Sequence, residues 1–136
     1  MKKKLFAVLL AVIMLFAFTS TAFASSTTLN VNFINYVNTQ NKYRPTSLGK
    51  LTFTANAKLY ATQSSTTPLT GSAYNQEFKV TALSSGQPTQ SFGTAYQWNN
   101  VQVSISGLNT NTSYKCQFGN TQEQYYIKGT VDVIYY

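Results

Sequence analysis

Leu51-Thr52-Phe53-Thr54-Ala55-Asn56-Ala57-Lys58-Leu59-Tyr60-Ala61 alternates two kinds of side chain for eleven residues. Leu51, Phe53, Ala55, Ala57, Leu59 and Ala61 form one set, and Thr52, Thr54, Asn56, Lys58 and Tyr60 the other. In an extended chain successive side chains point to opposite faces, so this pattern predicts a strand with one packed and one wetted face.

Six further segments follow the same rule. In 28–37, Leu29, Val31 and Phe33 share a face, and the apolar phase then slips to Ile34 and Tyr36, which predicts a bulge. Phe78, Val80 and Ala82 alternate with polar residues in 76–82. Residues 90–97 make a strand interrupted by Gly93, and Val101, Val103 and Ile105 mark another at 101–106. Tyr114, Cys116 and Phe118 share a face in 113–118, as do Tyr125, Ile127, Val131, Val133 and Tyr135 in 124–135.

The intervals carry turn chemistry: Pro45 and Gly49, Pro68 and Gly71, Gly86 and Pro88, Asn99-Asn100, and Gly119-Asn120. Seven short strands with frequent turns and no helical periodicity predict an all-β, antiparallel two-sheet sandwich.

Residues 101–118, VQVSISGLNTNTSYKCQF, narrow this further. An alternating strand ends in Gly107-Leu108, a short Asn/Thr turn follows, and Tyr114 opens the next strand. This resembles the strand E, corner and strand F segment of a fibronectin type III domain, within the wider immunoglobulin-like class. The resemblance implies a tyrosine corner, with Leu108 plugging the core and the Tyr114 hydroxyl bonded to backbone just upstream. It implies nothing about function.

The first 24 residues read as a cleaved secretory signal. Lys2, Lys3 and Lys4 precede an apolar run of fourteen residues, Leu5 to Phe18, and Ala22-Phe23-Ala24 offers small residues at a cleavage site. The run is short of the roughly 20 apolar residues that span a bilayer. The long lysine run resembles Gram-positive bacterial signals. The expectation is a secreted, extracellular domain over residues 25–136 with no membrane span.

That domain is long enough for one core. Its only cysteine, Cys116, lies on an apolar face and reads as a small buried hydrophobe, or else as a partner for a second chain. Seven basic side chains face Glu77, Glu123 and Asp132, a balance of +4. No block of like charge exists, so the charge reads as solubilising, with attraction to a polyanion such as a cell-wall polymer as the sharper alternative. Nucleic-acid binding lacks clustered cations beyond Lys42-Tyr43-Arg44.

The chain has no histidine, which removes Ser-His-Asp and Cys-His catalysis and the usual zinc sites. Three dispersed carboxylates do not predict a glycosidase pair or a calcium site. We therefore expect no enzyme, no metal and no cofactor. Asn111-Thr112-Ser113 matches a glycosylation acceptor, relevant only in a eukaryotic secretory path.

Aromatic residues make up 15% of the chain, and some of them are expected at the surface. Tyr60, Tyr126 and Tyr136 fall opposite the better apolar sets. Tyr43 sits in a loop between Lys42 and Arg44, and Trp98 beside the Asn-Asn turn. Exposed rings among amides and hydroxyls suit a sugar ring or a protein partner. Lys42, Tyr43, Arg44 and Trp98 are the candidate ligand contacts. The expectation is a non-enzymatic binding module for a cell-wall or matrix polysaccharide or a protein. The alternatives are a self-assembling subunit that pairs through its terminal strand 127–136, and a small secreted toxin.

Overall fold

A computed structural model describes residues 24–136. The leader, apart from Ala24, lies outside the described residues. Among the described residues there are eight strands: β1 Ser25–Phe33, β2 Tyr36–Asn38, β3 Leu51–Tyr60, β4 Gln76–Ala82, β5 Gln90–Ala95, β6 Gln97–Ile105, β7 Cys116–Asn120 and β8 Tyr126–Tyr135. A 3-10 turn covers Ser72–Tyr74. The strands form two four-stranded antiparallel sheets, in the orders β1-β8-β3-β6 and β2-β7-β4-β5.

The inward set of β3 is buried as the alternation predicts, from Leu51 to Leu59, while Ala61 falls in the following turn and is exposed. Cys116 and Phe118 of β7 and Ile127, Val131 and Val133 of β8 are likewise buried. The two inner faces meet through aromatic rings. Phe53 of β3 meets Phe118 of β7 edge-on at 6.0 Å, and Phe78 of β4 lies 5.2 Å from Trp98 and 5.8 Å from Phe33. Such edge-on and tilted pairs add about 0.5–1.5 kcal/mol each beyond the area they bury.

There are eight strands rather than seven because segment 28–37 is two strands. The phase slip at Ile34 is no bulge: the chain bends at Ile34-Asn35 and passes from the first sheet into the second. A second crossing occurs at Tyr96, between β5 and β6. Strands that change sheet at bends make the corners of a sandwich.

Asn99-Asn100 is not a turn. Both residues lie within β6, where the register against β3 shifts between Ala55 and Ala57. Asn100 has φ 52, and its N–H donates to Asn56 Oδ1 at 2.9 Å. Asparagine tolerates this left-handed backbone in a bulge as readily as in a turn. Gly119-Asn120 also lies inside a strand, β7, and the turn comes after it.

In immunoglobulin-type sandwiches the last strand lies beside the one before it. Here β8 leaves the sheet of β7 and inserts between β1 and β3. Both its edges are hydrogen-bonded, so the terminal strand is closed to pairing with another copy. Gly129 makes the insertion possible, because a Cβ there would lie 2.2 Å from the Asn56 carbonyl oxygen and 2.6 Å from Ala57 Cα. Val31, Gly129, Ala57 and Trp98 form one cross-strand row of this sheet, in which Val31, Ala57 and Trp98 are buried.

Candidate functional site

Two of the four candidate contacts are corrected by burial. Trp98 is 1% exposed, and its indole N–H donates to the Gly93 carbonyl at 3.1 Å. With Asn99-Asn100 in the strand, Trp98 takes an inward position of β6 rather than a loop position. Tyr43 is 3% exposed. Its backbone exchanges two hydrogen bonds with Tyr114, at 2.8 and 2.9 Å, and its ring packs edge-on against Tyr135 at 5.1 Å. Neither ring presents a face to a ligand. Tyr43 instead fixes the segment from which Lys42 and Arg44 project into solvent.

Leu108 is buried, and the Tyr114 hydroxyl accepts a hydrogen bond from the Asn109 N–H at 3.1 Å. Leu108 N–H in turn donates to the Gly49 carbonyl at 2.9 Å. Gly49 has φ 66, and a Cβ there would sit 2.7 Å from the Leu108 carbonyl oxygen, so glycine is required. The corner thus ties the loop 39–50 to the loop 106–115.

These two loops and the loop 83–89 leave the sandwich at the same end, since β2, β4 and β6 all run toward it. They carry Lys42, Arg44, Lys50 and Lys115 and no carboxylate. Lys42 and Lys115 flank the Tyr43–Tyr114 bridge on its two strands. Arg44 is braced: its Nε donates to the Thr110 carbonyl at 2.6 Å, and its guanidinium lies 5.1 Å from the centre of the Tyr136 ring. Leu48, at the tip of a turn closed by Gly49 N–H on the Thr46 carbonyl, is 84% exposed.

No protein-family model matches this chain, and no curated protein does.

The carboxylates lie elsewhere. Glu77 pairs with Lys79 at 3.0 Å, and that hydrogen bond holds its carboxyl below the usual range. Asp132 accepts from the Thr28 hydroxyl at 2.5 Å, and Glu123 sits in the turn between β7 and β8, at the opposite end. Among the described residues, no three His, Cys, Asp or Glu side chains gather where a metal would be held. No helix among them is long and apolar enough to cross a membrane. Cys116 is buried, and burial pushes its thiol up to about 12. Buried and protonated, that thiol is closed to a partner chain while the domain is folded.

On the outer face of the first sheet Lys58 lies directly opposite Lys128. Lys128 is held by the carbonyls of Gln63 and Ser65, at 2.6 and 2.7 Å, and lies 4.5 Å from the centre of the Tyr60 ring. This cation braces the loop 61–75. Tyr60 and Tyr126, opposite one another on the same face, are half-buried, whereas Tyr136 is exposed.

Sequence reasoning missed Lys50 and Lys115. Alternation gave Lys115 an outward position between Tyr114 and Cys116, but nothing local links it to Lys42, far away in the chain.

Proposed function

We propose that this chain is a secreted, non-enzymatic binding module that engages an anionic polysaccharide of a cell surface or matrix through its basic end. One observation carries the reading: the loops at that end hold four of the seven cations of residues 25–136 and no carboxylate. Screening confines charges to a reach of about 8 Å at physiological salt, so scattered lysines act singly and gathered ones act together. A cationic surface with hydroxyl and amide side chains around it suits a polymer that carries carboxylates and hydroxyls on each unit. Lys42 and Lys115 are the principal contacts. Arg44, already spent on Thr110 and Tyr136, shapes the surface and adds charge.

The test is retention of the purified protein on immobilised polygalacturonate, with uncharged dextran beside it. Retention on the first alone, falling steeply with salt, is expected. Lys42→Gln with Lys115→Gln should weaken it about fivefold to thirtyfold, from about 0.5–1 kcal/mol for each surface charge. Salt-independent retention, or an unaffected double variant, would sink the reading.

A further inference from the structure

The outer face of the second sheet holds a trough separate from the basic end. Strand β7 runs between β2 and β4, and Gly119 is its outward residue toward the end away from the basic loops. Gly119 is paired with Tyr36 on one side and Lys79 on the other. A strand position without a side chain therefore lies between two long ones, and the hollow above it measures about 250 Å³. Tyr36 is 56% exposed, one of three large hydrophobic side chains so placed among the described residues.

The fold does not account for this glycine. An interior strand glycine weakens pairing, and it marks a bulge, a bend or a close approach by backbone or ligand. Gly119 is not among the glycines with positive φ, and its pairing with β2 and β4 runs without a register shift. A Cβ built on it meets nothing nearer than the Asn35 carbonyl oxygen, at 3.9 Å, an ordinary contact. Gly129, by contrast, is crowded by backbone on β3. What Gly119 provides is the floor of the trough, and a ligand is the approach left to explain it.

The rim states the ligand's chemistry. One row from Gly119, the Gln117 amide donates to Asn38 Oδ1 at 3.0 Å, and on the far side Thr81 and Thr89 share a hydrogen bond at 2.7 Å. An amide pair has more donors and acceptors than one bond uses. The trough's one cation, Lys79, is 3.0 Å from the neighbouring Glu77, so the surface is locally neutral. An aromatic face beside amides and hydroxyls, without net charge, complements a ring with an apolar face, hydroxyl edges and no charge. The volume lies just under the range of about 300–1,000 Å³ for drug-sized ligands, which suits one ring.

We infer that the Tyr36–Gly119 trough is a binding site for a neutral pyranose ring, one unit of a polysaccharide chain. It is distinct from the basic end in place and in charge, and it stands whether or not that end binds a polyanion.

The experiment is titration of the isotope-labelled protein with three neutral probes, laminarin, cellohexaose and chitohexaose, followed through its backbone amide resonances. At least one probe is expected to shift the amides of Gly119, Gln117 and Lys79 saturably. Tyr36→Ala removes the ring, and Gly119→Val fills the floor. Each should weaken binding by about tenfold or more, while melting stays within about 3 °C of the parent. Tyr36→Phe keeps the face and should bind within about threefold of the parent. The Lys42→Gln, Lys115→Gln variant should bind the neutral probe as the parent does, which separates this site from the basic end. The inference is overturned if none of the three probes binds, if the shifts map elsewhere, or if both trough variants bind like the parent. It is also overturned if Tyr36→Ala changes the oligomeric state, because the trough is then covered by a second copy. Should a variant fail to fold, the amide map of the parent decides alone.

Discussion

The Tyr114 hydroxyl accepts a hydrogen bond from the backbone N–H of Asn109, five residues upstream, at 3.1 Å. It gives a part-buried N–H at the crossover between the sheets a partner it would otherwise lack. Tyr114→Phe keeps the ring and deletes that partner. The loss should be about 1–2 kcal/mol, the usual net bond plus part of the cost of an unpaired donor. Urea unfolding of the pair of proteins reads it directly, and a change within error would mean that water replaces the hydroxyl.

Asn120 organises the opposite end. Its amide donates to Gln76 Oε1 and, at 3.1 Å, to the Tyr125 carbonyl, while its Oδ1 accepts from Gln122 N–H at 3.2 Å. Both amides are buried. Asn120→Leu should cost about 2–3 kcal/mol, because it orphans the Gln76 acceptor and the Tyr125 carbonyl together. Adding Gln76→Leu should recover part of that loss. The double-mutant cycle is therefore expected to show coupling of about 1 kcal/mol, and additive losses would contradict a shared network.

Two glycines on neighbouring sheets should respond oppositely to alanine. At Gly129 the new Cβ would strike backbone of β3 on two atoms, and φ of 153 leaves no relief. Gly129→Ala should cost at least about 3 kcal/mol or abolish folding. Gly119→Ala meets only ordinary contacts and should stay within about 0.5 kcal/mol of the parent. Thermal melts of both variants make the comparison.

The folded state holds the Cys116 thiol protonated up to about 12, by desolvation. The unfolded thiol ionises near 8.5. The folded pKa is the higher, so this stabilisation is complete below about pH 8.5 and drains away as pH rises toward the folded value. Between pH 8.5 and 10 stability should fall with a slope of up to about 1.4 kcal/mol per pH unit, and Cys116→Val should flatten it. Thiol reagents should label the native protein at pH 8 only at the rate of unfolding.

Much of the core was legible from alternation alone. The inward positions of 51–59, 114–118 and 127–133 follow from a period-2 pattern that each segment carries within itself. Trp98 and Tyr43 were misread for opposite local reasons. An Asn-Asn pair serves a bulge as well as a turn, and only the register against β3 separates the two. Tyr43 stands alone between two cations in a segment too irregular for alternation, so its inward direction depends on the bridge to Tyr114.

The sequence by itself determined that this chain is β-structured, where most of its strands lie, which faces pack, and that it carries no histidine. Those are local properties, set by side-chain alternation and residue inventory. The tertiary structure alone decided that β8 lies between β1 and β3, that Lys42, Lys50 and Lys115 share one end, and that Tyr36, Gly119 and Lys79 stand side by side. Each of these joins segments distant in the chain. Strand order follows from which faces can be buried together, and no window of sequence contains that choice.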